Sequence, residues 1–183
     1  MNIDNLQAQI SSYKNLVNSL KTSENRQTFQ LNKNSFSIPN RIYENDIDAV
    51  FKNLDSITKS CILTRHTDGF IREQNLKIII NNANYFTIPF VILLAGEYVY
   101  PIIEYIEENL DEDSLSKIIS FFEENLDFYK TFKSRIVSYW SCYYRLDYPI
   151  FKDYVGYKII ERIENINTSL KSITHINNII ENK

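Results

Sequence analysis

The sequence predicts an all-α protein, an irregular multi-helix bundle of about seven or eight helices joined by short connections. Two observations carry that reading. The 183 residues include only 3 Gly and 4 Pro, whereas an all-β or α/β chain needs many tight turns that favour Gly, Asn or Pro. Apolar residues also recur at spacings of three and four along most of the chain, which is the period of one face of an α-helix.

The elements follow in order. Ile3, Leu6, Ile10, Tyr13, Val17 and Leu20 form a heptad-like stripe on a first helix, about residues 3 to 22. Residues 23–42, "SENRQTFQLNKNSFSIPNRI", show no helical period and are rich in Ser and Asn, so they are read as a loop or broken element, with Pro39 supporting a break there. Residues 1–42 are thus a helix plus loop, and 43–183 the helical core of one domain. In that core, Ile47, Val50, Phe51, Leu54, Ile57, Cys61 and Ile62 line a helix capped by Asn45 or Asp46 and ending near His66. Phe70, Ile71, Leu76, Ile78, Ile79 and Ile80 mark the next helix, which ends around "NNAN". A further helix begins at Thr87 or Ile88 with Pro89 in its first turn. It runs through "FVILLAGEYVY" until Pro101 kinks or breaks it. "DEDSLSKIISFFEENL" is amphipathic with Asp113 as its cap, and Phe128, Phe132, Ile136, Tyr139, Trp140 and Tyr143 face one way on the helix after it. The last helix carries Val155, Ile159, Ile163, Ile166, Leu170, Ile173 and Ile180, a stripe expected to pair with the first helix and close the fold.

Composition narrows the job. Hydrophobic residues at 44% and charged residues at 23% are ordinary for a globular chain. The net charge of −3 disfavours a general nucleic-acid binder, whose affinity rests on neutralised phosphates. The N-terminal stretch has neither the basic nor the apolar region of a signal peptide, and the most apolar run is interrupted by Glu97 and prolines. A cytoplasmic protein with no membrane span is expected. The Ile, Asn, Lys and Tyr bias points to an A+T-rich bacterial gene. Cys61 and Cys142 lie far apart in apolar surroundings and are read as two buried free thiols.

The densest polar stretch is "TRHTDGFIRE", residues 64–73. Asp68-Gly69 is a turn signal, and Asp68 is placed to cap the helix that follows. Helix, Asp-Gly turn, then Ile71, Arg72, Glu73 and Leu76 on a second helix resembles a HEAT-type repeat over about residues 45–84. The resemblance implies a HEAT-like all-α fold in which Asp68, Gly69 and Arg72 are structural, with Asp68 capping and Arg72 bonding a turn carboxylate or carbonyl. His66, Asp68 and Glu73 are close in sequence, but Arg65 and Arg72 share their turn and oppose a cation. Neither a P-loop, a GxGxxG nor a nucleophile with its base is visible, so no catalytic residue, cofactor or metal is assigned.

Charge and aromatics are patterned. From Glu97 to Asp127 Lys117 is the sole base among ten acids, whereas Lys130, Lys133, Arg135 and Arg145 follow without one acid between Tyr129 and Arg145. Glu104, Glu107, Glu108, Asp111, Glu112 and Asp113 form an acidic face suited to a basic partner. The run "SYWSCYYRLDYPIFKDYVGYK" holds more tyrosines than one core stripe accepts, and Tyr143, Tyr144 and Arg145 are its expected contact residues. These features point to a protein-binding module, specifically a bacterial immunity protein that neutralises a toxin, such as a nuclease, by occluding its active site. Two alternatives stay open. One is a HEAT-like DNA glycosylase or other nucleic-acid enzyme using Lys133, Arg135 and Arg145 beside the aromatics. The other is a structural helical dimer built on the terminal heptads.

Overall fold

The computed structural model describes residues 3–43, 51 and 54–181, with side chains over 5–43, 51 and 54–168. Eight α-helices and one β-hairpin make up the regular structure of the described residues. In chain order these are α1 (Ile3–Val17), β1 (Arg26–Leu31), β2 (Asn34–Pro39), α2 (Ser56–Leu63), α3 (Gly69–Ile80), α4 (Ile88–Ala95), α5 (Tyr100–Asn109), α6 (Glu112–Glu124), α7 (Leu126–Tyr139) and α8 (Val155–Glu181). A π-helical turn, Trp140–Tyr144, extends α7, and a 3-10 turn, Phe151–Asp153, precedes α8. Among the described residues no helix is long and apolar enough to cross a membrane.

The hairpin corrects the reading of 23–42 as a loop. β1 and β2 pair antiparallel with Phe29 opposite Phe36. Phe29, Leu31, Phe36 and Ile38 are buried on one face, while Thr28 and Ser37 join hydroxyls at 2.7 Å on the other. The pattern is apolar at every second residue, which is the period of a strand rather than a helix. Asn32 and Lys33 both take positive φ, 47° and 65°, as a two-residue hairpin turn of the primed type requires.

The hairpin is packed between two groups of helices. On one side Phe36 meets Tyr13 of α1 and Phe86 and Phe90 at the start of α4. On the other Phe29 meets Phe121 of α6 and Phe128 of α7. The amide of Asn125, between α6 and α7, accepts from the Gln30 N–H and donates to the Gln30 carbonyl, each at 2.9 Å. It thereby satisfies the outer edge of β1 as a neighbouring strand would. The stripe Leu6, Ile10, Tyr13, Val17 and Leu20 is buried. α1 spends it on α2 and β2 of its own chain, so it is not free to zip two copies together. Among the described residues the last helix packs chiefly on α5, α6 and α7, with no comparable packing on α1, the pairing its spacing suggested.

Several boundaries move for identifiable reasons. Asp55, which accepts from the Thr58 N–H at 2.9 Å, caps α2, so this helix starts at Ser56, and Ile47 and Val50 of the expected stripe lie outside the described residues. Asn45 and Asp46, expected as caps, lie outside the described residues. Asp111, not Asp113, caps α6 by accepting from the Ser114 N–H at 2.8 Å; Asp113 instead pairs with Lys117. The helix starting at Ile88 ends at Ala95, and Pro101 sits in the first turn of the next helix rather than breaking the same one. Gly96 through Val99 form the break. Phe70 and Ile78, read as part of α3's apolar face, are exposed, and Cys142 is exposed rather than buried.

Candidate functional site

The break after α4 sets the site. Every residue of α4 is buried, so its C-terminal end lies in the interior and delivers Glu97 there rather than to solvent. Glu97 collects three guanidiniums. Arg41 Nη1 lies 2.9 Å and Arg65 Nη1 3.1 Å from Oε1, and Arg72 Nε lies 3.4 Å from Oε2. Cations at a helix C-terminus also meet the negative end of its dipole, which favours their gathering at α4.

Local structure fixes each arginine. Residues 40–43 run beside the α2–α3 turn, where Ile42 bridges His66 and its N–H bonds the Arg65 carbonyl at 2.9 Å. That pairing brings the Asn40 carbonyl within 2.8 Å of Arg65 Nη2 and 2.7 Å of Arg41 Nη1. Arg72, one turn into α3, donates through Nη1 to the His66 and Thr67 carbonyls at 3.0 and 2.9 Å. Asp68 caps α3 by accepting from the Phe70 N–H at 2.8 Å. Burial pulls the Arg65 guanidinium down to about 10, with Glu97 opposing that fall, and lowers Arg72 for the same leading reason.

Above this cluster opens a cleft of ≈ 330 Å³, lined by Asn40, Arg41, Arg65, Glu97, Arg135 and Tyr139 among others. Tyr139 leads from the cleft into an aromatic rim. Its ring lies 5.9 Å from Tyr98 and 6.1 Å from Tyr143, and Tyr98 and Tyr143 are 5.4 Å apart.

The π-helical turn divides the tyrosine-rich run between inside and outside. Trp140 turns inward, donating its indole N–H to the Tyr148 carbonyl at 2.8 Å and packing on Phe151. Tyr148 bonds the Tyr100 hydroxyl at 2.6 Å and stacks on its ring. Tyr144, expected as a contact residue, is half-buried: its hydroxyl donates to the Tyr98 carbonyl and its ring stacks on Tyr154. Tyr143 is 59% exposed, and Leu146 and Ile150 follow at 95% and 62%. Arg145 is exposed with its guanidinium over the Trp140 ring.

The acidic residues divide as well. Glu107 is half-buried and pairs with Arg162 of α8, which also bonds the Glu107 and Leu110 carbonyls. Asp111 is engaged as a cap. Glu104, Glu108, Glu112 and Asp113 remain exposed around the end of α5 and the start of α6. Glu104 lies one helical turn from Tyr100, so that acidic stretch begins beside the tyrosine cluster.

His66, Asp68 and Glu73 serve separate ends. His66 Nδ1 accepts from the Asp68 N–H, Asp68 caps, and Glu73 pairs with Lys77. Among the described residues no group of His, Cys, Asp and Glu is placed to hold a metal ion. Lys133, Arg135 and Arg145 likewise take different surroundings: Glu164, the cleft and the Trp140 ring. Glu97 is the site residue that sequence reasoning misplaced, by counting it with the surface acids. The available signal was a lone carboxylate inside the most apolar run, downstream of the stretch 64–73 that holds two arginines. No protein-family model matches the chain, and no curated protein or solved structure is significantly similar to it.

Proposed function

We propose that the chain is a protein-binding module whose contact face is centred on the π-helical turn and the segment after it. One observation carries this reading. Within residues 137–150, Val137, Tyr143, Leu146 and Ile150 all present large apolar side chains to solvent, and Tyr98 joins them through Tyr143. A folded chain with this much core has no need to leave Leu146 almost wholly exposed, and clustered exposed apolar groups mark interaction surfaces. The face stands on the stacked Tyr100, Tyr144, Tyr148 and Tyr154 rings, so little ordering is required on binding.

The exposed Glu104, Glu108, Glu112 and Asp113 favour a partner with a basic surface. The finer form of the reading is toxin neutralisation, with the module covering the basic active-site cleft of a toxin such as a nuclease. Co-expression with the products of neighbouring genes, followed by pull-down on the tagged chain, tests it. A partner should co-purify with the parent and be lost with Leu146→Glu, whose fold remains intact by circular dichroism. No stable partner, or one retained by Leu146→Glu and Ile150→Glu together, overturns the proposal.

A further inference from the structure

The Glu97 cluster holds more positive charge than its own geometry neutralises. Arg41, Arg65 and Arg72 share one carboxylate, and among the described residues no other carboxylate is within ion-pair distance of them. Arg135 of α7 lines the same cleft and has no ion-pair partner among the described residues. Among the described residues four guanidiniums therefore answer to one carboxylate, an excess of three charges at the cleft and beneath it. Arg65 is almost wholly buried, and its Nη1, although close to Glu97, lacks a well-directed acceptor. Buried charge of one sign is costly unless an opposite charge meets it.

The cleft is shaped for such a charge. Arg41 and Arg135 are both partly exposed and line its walls, offering guanidinium N–H groups whose fork geometry suits phosphate oxygens. A dianion matches the excess better than a carboxylate does. Its volume of ≈ 330 Å³ lies at the small end of ligand pockets. On one wall Tyr139 continues into the Tyr98 and Tyr143 rings, a surface on which a flat ring can stack.

We propose that this cleft binds a small phosphate monoester bearing a planar aromatic ring, of nucleoside monophosphate size. Arg41 and Arg135 grip the phosphate, Arg65 and Arg72 supply the field below it, and Tyr139 with Tyr98 receives the ring. This site adjoins the protein-binding face and shares Tyr98 with it, but Leu146 and Ile150 take no part in it.

Thermal shift and titration calorimetry with phenyl phosphate, adenosine monophosphate, inorganic phosphate and benzoate, in chloride at matched ionic strength, test the proposal. Both ring-bearing phosphates should raise the melting temperature and bind more tightly than inorganic phosphate, with benzoate weakest. Arg135→Gln, and separately Arg41→Gln, should weaken the phosphates by about tenfold or more. Tyr139→Leu should remove the advantage of the ring-bearing ligands. Leu146→Glu should bind them as the parent does, so failure of the protein-binding reading is seen separately. The proposal is overturned if neither ring-bearing phosphate acts at ~10 mM beyond the chloride control. It also falls if benzoate equals phenyl phosphate or if the arginine variants bind unchanged.

Discussion

Arg65 Nη1 lies 3.1 Å from Glu97 Oε1, and this contact ties the α2–α3 turn to the end of α4. Both side chains are nearly excluded from solvent, and Arg41 and Arg72 close on the same carboxylate. Such a cluster is weak as a source of stability in itself, because desolvation offsets much of the attraction, yet removing one member leaves the others buried and unbalanced. Glu97→Gln removes the only described counter-charge from three guanidiniums. The expected loss is about 3–5 kcal/mol in urea or thermal unfolding. Glu73→Gln is the control: its pair with Lys77 is exposed and of the i,i+4 kind, so the loss should stay within about 0.5 kcal/mol. A Glu97→Gln loss as small as the control's would show that the cluster contributes no cohesion.

The hairpin gives a prediction of opposite sign. Lys33 holds φ at 65°, a left-handed conformation that costs an L side chain about 1 kcal/mol or more. Lys33→Gly removes that strain but gives the unfolded chain more freedom, which takes back part of the gain. A net stabilisation of about 0.5 kcal/mol is expected, while Lys33→Val should destabilise by about 1 kcal/mol, since a β-branched residue resists positive φ. Denaturant midpoints of the two variants, at unchanged m-value, measure both. Equal midpoints would mean the turn is not of the primed type.

The same turn shows where sequence reading stops. Helices α3, α6 and α7 are legible because their buried residues, such as Phe128, Phe132 and Ile136, recur at helical spacing over several turns. The hairpin is concealed because its turn is Asn32-Lys33 without Gly and its outer face is Ser, Thr and Gln, a composition shared with loops. Asp68 as a cap is local chemistry, readable from a dipeptide. The Glu97 cluster is not, since Arg41, Arg65, Arg72 and Glu97 meet only through tertiary packing and are spread over 56 residues. The π-helical turn is equally silent, because a single wider turn that leaves Trp140 inside and Tyr143 outside has no sequence period.

Alkaline pH should unfold the protein through its buried phenols. Tyr13 is fully buried among Phe36, Phe86 and Phe90, and burial raises its hydroxyl far above the 10.0 of a free tyrosine, with Arg65 only partly opposing. Tyr85 and Tyr154 are raised in the same direction, first by burial. Above pH 10.0 the unfolded chain has released these protons while the native state still holds them. The unfolded state therefore binds fewer protons and stability falls as pH rises; the contribution is fully present below pH 10.0 and is lost above it. Arg65 works the other way, because burial pulls it down to about 10 when folded while the unfolded chain keeps its proton well above that. The three phenols outnumber the two lowered guanidiniums, Arg65 and Arg72, so the net slope is downward. Tyr13 alone should account for about 1.4 kcal/mol per pH unit in this window. Among the described residues its hydroxyl makes only a long contact to the Ser37 carbonyl, 3.5 Å, so Tyr13→Phe should cost about 1 kcal/mol or less at pH 7. At pH 11 the variant should be the more stable of the two, and parallel stability curves between pH 9 and 11 would show that Tyr13 ionises no differently in the folded and unfolded chains.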